Sequence, residues 1–241
     1  MDDSGSGGIA ARYWEILDRI GSAAERSGRD PEAVRLVVVT KGHPVETIRR
    51  AIDAGVVRFG ENYAEEAVPK IETLAGAELE WVMIGHVQSR KSGMVASHFD
   101  ELQSLDSVKL ARRLDEARPK GRPLPVLVQV NVSGEAAKYG LPGWAPDQGR
   151  ETAPVIAAFI EGIARYSNLR LKGLMTVPPF LPPEDVRPFF RRLADLRDHL
   201  QDRFPDLEFD ELSMGMSADF EAAIEEGATV VRIGTAILGP R

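Results

Sequence analysis

The 241-residue chain contains no cysteine, few aromatic residues and no long apolar run. Without cysteine it cannot form disulfides, thiolate nucleophiles or cysteine-ligated metal sites. Its four histidines (His43, His86, His98 and His199) lack HExxH or similar spacing, so we expect no metal site. It also lacks a signal-peptide pattern and any segment long enough to cross a bilayer, which predicts a cytoplasmic protein that does not bind membranes.

Basic residues are outnumbered, with 30 Lys and Arg against 37 Asp and Glu, a formal charge of −7 at pH 7. A chain of this charge has no net positive field for nucleic acid, and we expect none as a partner. Its 43% hydrophobic and 28% charged residues are ordinary proportions for a globular protein. A barrel of this length routinely forms one domain.

Short apolar runs rich in β-branched residues alternate with longer segments of helical periodicity. The pattern predicts eight strands: Leu36–Thr40, Val56–Phe59, Trp81–Gly85, Glu101–Ser104, Val126–Asn131, Leu171–Met175, Phe209–Leu212 and Thr229–Ile233. Of these, Glu101–Ser104 is predicted mainly from its position. The segments between them predict helices: Thr47–Ala54, Ala64–Leu74, Ser107–Ala117, Ala153–Tyr166, Asp185–Phe204 and Ser217–Glu226. Strands that are apolar throughout are typical of a parallel sheet covered by helices. Eight βα units predict a single-domain (β/α)8 TIM barrel, with an open doubly wound sheet as the alternative.

The N-terminal segment precedes this repeating pattern. Residues 1–8, MDDSGSGG, predict a disordered tail. An extra helix follows, with apolar residues at helical spacing: Ile9, Tyr13, Trp14, Ile16, Leu17 and Ile20. The barrel domain is therefore predicted over residues 9–241, with no linker that would mark a second domain.

Lys41 directly follows the first predicted strand, at the end of a barrel where active sites lie. A lysine beside an apolar strand end is near low dielectric, which lowers its pKa and frees the neutral amine for imine formation. A solvated lysine at a strand terminus is the alternative interpretation of the same position.

The last two βα loops contain residues suited to an anion. Ser217 opens a predicted helix, and Arg232, Gly234 and Thr235 end the last strand. Phosphate sites of such barrels combine these loops with free backbone N–H groups, while Ser and Thr hydroxyls add donors. The alternatives are a simple helix cap at Ser217, a tight turn at Gly234 and a surface ion pair at Arg232.

Six motifs match one known family in order, from about residue 36 to 239. They are LVVVTK at 36–41, FGENY at 59–63, WVMIGHVQSRK at 81–91, LKGLM at 171–175, LSMGMSADF at 212–220 and VRIGTAILG at 231–239. Through these motifs the chain resembles the YggS/PROSC (PLPBP) family of pyridoxal 5′-phosphate (PLP) homeostasis proteins, whose barrel is related to the N-terminal domain of alanine racemases.

The resemblance assigns PLP as the cofactor and seven residues to its site. Lys41 would be the Schiff-base lysine, and Arg232 would face the pyridine nitrogen. Ser217 would hold the phosphate together with the backbone N–H groups of Gly234 and Thr235, and Thr235 would also offer its hydroxyl. Asn62 would lie near the ring, and Met216 would frame the phosphate loop.

The resemblance implies PLP supply and amino-acid balance rather than efficient catalysis, so no catalytic residue is assigned. An arginine opposite the ring nitrogen makes the ring a poor electron sink. Recipients would be PLP-dependent apo-enzymes, and we expect a monomer. Two alternatives stay open: a PLP-dependent amino-acid racemase, and a barrel enzyme that uses Lys41 as an aldolase-type lysine. Racemases of this fold take a second base, a tyrosine, from a further domain, which we do not expect in a chain that ends at Arg241.

The chain departs from the family pattern outside the proposed cofactor residues. Arg90 stands where the family has Asn, and Leu238 stands where Phe is common. The stretch Pro142–Arg150 is unusual in its Trp and Pro content. These differences leave the loop surfaces, and any partner that they bind, unassigned.

Overall fold

Strands and helices alternate along the chain as predicted, in a computed structural model that describes residues 6–143 and 153–240. The strands there are β1 (Arg35–Val39), β2 (Arg58–Glu61), β3 (Glu80–Met83), β4 (Glu101–Leu105), β5 (Leu124–Asn131), β6 (Leu141–Pro142), β7 (Leu169–Met175), β8 (Glu211–Ser213) and β9 (Val230–Ile233). The helices there are α1 (Ser6–Arg26), α2 (Val45–Asp53), α3 (Ala64–Thr73), α4 (Ser92–His98), α5 (Val108–Ala117), α6 (Ala153–Ile163), α7 (Pro183–Arg203), α8 (Phe220–Glu225) and α9 (Thr235–Leu238).

Eight of these strands form a closed parallel barrel. Their order is β4-β3-β2-β1-β9-β8-β7-β5, and a further pairing of β4 with β5 closes the ring. The two-residue strand β6 pairs with the end of β5, where Val130 is opposite Leu141. Closure confirms the predicted (β/α)8 barrel and excludes the open doubly wound sheet.

The core lies mainly between the barrel and its helices. Helix α7 shows why: its apolar residues recur three and four positions apart, and Phe190, Leu193, Leu196 and Leu200 are fully buried. Burial of one such side chain stabilises the fold by about 1.5–3 kcal/mol. A smaller apolar cluster, which includes Val37 of β1, packs separately from this layer.

Helix α1 begins at Ser6, three residues before the predicted start, so residues 6–8 are helical rather than part of a tail. Residues 1–5 lie outside the described part of the chain. The helix buries Ile16 and Ile20, and it packs against the last βα unit. Arg12 Nε donates to the Ile237 carbonyl oxygen at 2.7 Å, and Arg29 Nη1 donates to the Ala228 carbonyl oxygen at 2.8 Å. The first helix and the turn that follows it are therefore tied to the last elements of the barrel.

Most predicted elements are present, with boundary shifts of up to three residues. Helix α4 (Ser92–His98) was not predicted, because Ser92 and Gly93 are poor helix formers and its apolar positions are few. None of the described helices is long and apolar enough to span a bilayer.

Candidate functional site

The mouth of the barrel, where the parallel strands end, contains Lys41 immediately after β1. In the strand register, Val39 is opposite Gly60 of β2 and Val38 is opposite Ile233 of β9. The half-buried Lys41 therefore lies between the loops that follow β2 and β9.

Both neighbours of Lys41 are held by side chains from β2 and α3. Thr40 Oγ1 donates to Glu61 Oε1 at 2.8 Å, and the Gly42 N–H donates to Glu66 Oε1 at 2.6 Å. Lys70 Nζ joins these groups by donating to the Thr40 carbonyl oxygen at 3.1 Å, to Glu61 Oε1 at 2.8 Å and to Glu66 Oε1 at 2.6 Å. We call Thr40, Glu61, Glu66 and Lys70 the Lys41 clamp, because they fix the backbone on both sides of that lysine.

Glu61 is the buried acid of the clamp, and its side chain is fully inaccessible. Burial raises the pKa of the Glu61 carboxyl, and the Lys70 ammonium offsets part of this rise. Glu61 Oε2 has no hydrogen-bond partner among the described residues. Because a buried carboxylate needs a counterion, Lys70 is the group that favours the charged form of Glu61 inside the fold.

Arg232 is buried near the end of β9, at 4% exposure, which contradicts the surface-ion-pair interpretation. Its Nη1 donates to Ser213 Oγ at 2.5 Å, and its Nη2 donates to the Thr176 carbonyl oxygen at 2.7 Å. Burial lowers the pKa of the guanidinium to about 10, and Asp219 opposes this shift. The group is still a cation at neutral pH.

The loop after β8 contradicts the alternative interpretation of Ser217 as a helix cap. Helix α8 begins at Phe220, so Ser217 is not its N-cap. Asp219 organises the preceding turn instead, because its Oδ1 accepts the Met216 N–H at 2.6 Å. This arrangement places half-buried Met216 and Ser217 in the turn between β8 and α8.

Gly215 lets this loop lie close to β9. Its φ of 94° is in the left-handed region, and a Cβ there would be 2.6 Å from the Ala223 Cβ. Its carbonyl oxygen accepts the Arg232 N–H at 3.0 Å. The loop after β8 is therefore bound to the strand that contains the arginine.

Gly234 and Thr235 begin the loop after β9, where Gly234 precedes the short helix α9. A Cβ on Gly234 would be 3.1 Å from the Val39 carbonyl oxygen, so this glycine packs against the end of β1. The first backbone N–H groups of a helix have no acceptor within it, and Thr235 is exposed. Lys41 and the two predicted phosphate loops thus follow three neighbouring strands: β1, β9 and β8.

A cavity of about 510 Å³ occupies the other side of the mouth, among the loops after β2, β3, β5 and β7. Of the seven predicted residues, Asn62 alone lines it, and its Oδ1 is buried without a partner among the described residues. His86 stacks on Tyr139 with ring centroids 4.1 Å apart, and His86 Nδ1 is 3.0 Å from Asp106 Oδ2. Burial raises the pKa of the Asp106 carboxyl, and His86 partly offsets the rise.

Sequence reasoning missed the buried polar residues behind the site. Gln103 and Ser213 are fully buried, and the Lys41 clamp was not recognised. The available signal was polar residues inside otherwise apolar strands, and Glu61 within the FGENY motif.

Comparison with known proteins decides the family. The model of the alanine racemase N-terminal domain matches residues 16–241. The pyridoxal phosphate homeostasis protein of Vibrio alginolyticus is 44% identical over 239 residues, which covers 97% of each chain. The protein of the same name from Escherichia coli K12 is 44% identical over 241 residues, again with 97% of each chain covered. The chain belongs to the pyridoxal phosphate homeostasis family.

Solved structures agree with this family membership. PipY of Synechococcus elongatus PCC7942, whose structure has PLP bound, is 33% identical with a TM-score of 0.76, over 96% of this chain and 100% of PipY. A protein of unknown function from Bifidobacterium adolescentis is 33% identical with a TM-score of 0.82, over 98% and 97% of the two chains. The alanine racemase of Corynebacterium glutamicum, at 15% identity and a TM-score of 0.68, shares the fold over 98% of this chain and 62% of its own.

Proposed function

We propose that this protein binds PLP as a Schiff base on Lys41 and acts in intracellular PLP homeostasis and amino-acid balance, without efficient catalysis of its own. The observation that carries the proposal is the position of Lys41. Lys41 follows the end of β1, which packs against Gly234, and it lies between the ends of β2 and β9. The Lys41 clamp fixes the residues on both sides of it.

The loops after β8 and β9 fit a phosphate dianion. Ser217 offers a hydroxyl that does not cap helix α8, and Thr235 offers another. Gly234 and Thr235 would donate backbone N–H groups, since the first N–H groups of a helix have no acceptor within it. Met216 would frame the loop from the β8 side.

Arg232 and Asn62 fit the ring of the cofactor. The Arg232 cation can donate but not accept a hydrogen bond, so a ring nitrogen that faces it would accept from it and remain unprotonated. When bound, PLP supplies an aldehyde that condenses with amines and a ring that withdraws electrons, less strongly beside arginine than beside an acid. Asn62 Oδ1 is a buried acceptor at the same mouth and is available to a ligand.

Borohydride reduction tests the attachment. The holo-protein is reduced and digested, and mass spectrometry should locate the pyridoxyl group on Lys41. Lys41→Ala should abolish the imine absorption band, although phosphate contacts can retain some PLP. Lys172→Ala is the matched control, since Lys172 pairs with Glu208 just before β8, at the opposite end of the barrel. A pyridoxyl group found only on another lysine of the wild-type protein would reject the assignment.

The phosphate contacts are tested by affinity. Loss of one charge-assisted hydrogen bond costs about 1.5–3 kcal/mol, or roughly ten- to a hundredfold in affinity. Ser217→Ala and Thr235→Ala should each weaken PLP binding by about this factor. Pyridoxal, which lacks the phosphate, should bind the wild-type protein far more weakly. Unchanged PLP affinity in the double variant would reject this phosphate site.

Racemisation is the competing function. Related racemases use a tyrosine as the second base, so the positions of the tyrosines bear on this alternative. Tyr63 and Tyr139 both line the cavity at the mouth. Tyr13 belongs to α1, and Tyr166 follows α6. A positioned acid–base group contributes about 10²–10⁴-fold in rate. We infer that exchange of the substrate α-proton is slow for two reasons. The cofactor ring that faces Arg232 is a weak electron acceptor, and Tyr139 is stacked on His86.

Incubation with L-alanine in heavy water separates the two functions. Slow α-deuteration with retained configuration supports a carrier. Rapid formation of the D-isomer that is lost in Lys41→Ala, and in Tyr63→Phe or Tyr139→Phe, would establish a racemase. We further propose that PLP-dependent apo-enzymes are the recipients and that the protein is a monomer. PLP transfer to an apo-enzyme and light scattering of the holo-protein measure these two properties.

A further inference from the structure

The guanidinium of Arg232 is fixed from inside the fold. Two of its N–H groups donate, one to Ser213 Oγ and one to the Thr176 carbonyl oxygen, from the neighbouring β8 and the end of β7. Arginine carries five donors, so two bonds fix the plane of the group with fewer than half of them.

Ser213 can hold the arginine in one way only. Its single hydroxyl hydrogen is directed to Gln103 Oε1, at 2.6 Å between the oxygens. The oxygen therefore turns a lone pair toward Arg232 and accepts its N–H. Ser213 is fully buried, so water does not compete for either bond.

Gln103 fixes the direction of that hydroxyl. Its Nε2 donates to Glu101 Oε1 at 2.6 Å, which directs its Oε1 toward Ser213. Reversal of the amide would break both of these hydrogen bonds. Glu101 Oε2 lies 3.7 Å from Nη1 of Arg58 in β2, and the guanidinium supplies a counterion. A directed hydrogen-bond chain thus crosses the barrel interior from β4 through β8 to β9.

We infer that Ser213 and Gln103 are positioning residues for the cofactor, acting through Arg232. They set the direction in which the buried guanidinium presents its remaining N–H groups to the ring nitrogen. This inference rests on the proposed function, since it requires PLP at the mouth. It goes beyond that function because it assigns part of the ring environment to residues two hydrogen bonds deep in the barrel.

The chain is tested by Ser213→Ala and by Gln103→Met, which preserves length without polar atoms. Each should weaken PLP binding about tenfold, equivalent to about 1.4 kcal/mol. Each should also move the ¹⁵N chemical shift of the ring nitrogen in ¹⁵N-labelled PLP. Ser213→Thr keeps the hydroxyl and should restore both readouts. Thr229→Val is the matched control, because Thr229 Oγ1 accepts the Leu212 N–H between the same two strands but is not part of the hydrogen-bond chain from Glu101 to Arg232.

A merely structural role predicts a different pattern. Melting temperature would then fall in Ser213→Ala, Gln103→Met and Thr229→Val alike, with the ¹⁵N shift unchanged, and that result would overturn the inference. Failure of the wild-type protein to load PLP on Lys41 would instead contradict the proposed function.

A measurement on the wild-type apo-protein keeps the inference testable where a variant fails to fold. The Arg232 guanidinium resonances, assigned with Arg232→Lys, should show slow rotation because two buried bonds hold the group. A freely rotating guanidinium would contradict the positioning role.

Discussion

Replacement of Lys70 by methionine probes the Lys41 clamp directly. The change keeps an unbranched side chain of similar length and removes the ammonium that donates to Thr40, Glu61 and Glu66. Glu66 is one third exposed and can regain water, but Glu61 is fully buried and cannot. The cost of the substitution should therefore come mainly from Glu61.

Protonation of Glu61 sets the scale of that cost. Removal of one partner of a buried ion pair costs about 3–5 kcal/mol when the other charge persists. The carboxyl can avoid this penalty by binding a proton. Protonation costs about 1.4 kcal/mol for each pH unit above its ordinary pKa of 4.5. This route limits the charge penalty to about 3.4 kcal/mol at pH 7 and about 0.7 kcal/mol at pH 5.

The sign of the pH dependence follows from the direction of the pKa. Without Lys70, the folded-state pKa of Glu61 rises further above its unfolded value, so the folded variant binds more protons than the unfolded chain. The contribution of Glu61 to its stability is then highest below about pH 4.5 and falls as pH rises toward the folded pKa. The difference in stability between wild type and Lys70→Met should therefore grow between pH 5 and pH 7.

Urea unfolding from pH 5 to pH 7.5 measures this difference. Lys172→Met is the control, since its partner Glu208 is 42% exposed and the pair should contribute less than about 1 kcal/mol at any pH. Adding Glu61→Gln to Lys70→Met should remove the pH dependence. A loss of stability that is the same at pH 5 and pH 7 would refute the assignment of the cost to Glu61.

Two further predictions concern local geometry. Gly215→Ala should destabilise the fold by about 1–3 kcal/mol and weaken PLP binding, because its Cβ would meet Ala223. Gly76→Ala is the control in thermal melts. Gly76 has a φ of 101° and open space around it, so this variant measures only the cost of placing alanine at a positive φ. Ser107→Ala should cost about 1 kcal/mol in urea unfolding, because Ser107 Oγ accepts the Leu110 N–H at the start of α5. Ser107→Asp should retain most of this stability, and a loss equal to that of alanine would argue against the cap.

Periodicity predicted the fold well because burial dictates it. Strands such as Val126–Asn131, buried on both faces, stand out as continuous apolar runs, and their number identified a barrel. Strand β4 was predicted mainly from its position, because Glu101, Gln103 and Ser104 are polar. These residues are nevertheless buried, since the closed barrel pairs them with groups from other strands.

The site was predicted by motif, and its supporting contacts were not. Lys41, Arg232 and Gly234 could be named because they end strands. Whether Arg232 was a surface ion pair or a buried cation depended on Ser213 and Thr176, which are 19 and 56 residues away. The alternative of a helix cap at Ser217 was wrong, because Asp219 precedes α8 and accepts the Met216 N–H. Such outcomes are decided by packing, which a local pattern does not contain.

The first helix and strand contact the last strands and helices, so the barrel cannot finish folding before its last strand has been synthesised. Strand β1 pairs with β9, and about 190 residues of chain separate them. At about 5–20 residues per second, a ribosome needs roughly 10–40 s to cover that distance. During this interval the apolar side of α1, with Ile9, Ile16 and Ile20, has no partner from α8 or α9. The N-terminal segment therefore completes its packing only after the last strand has been synthesised.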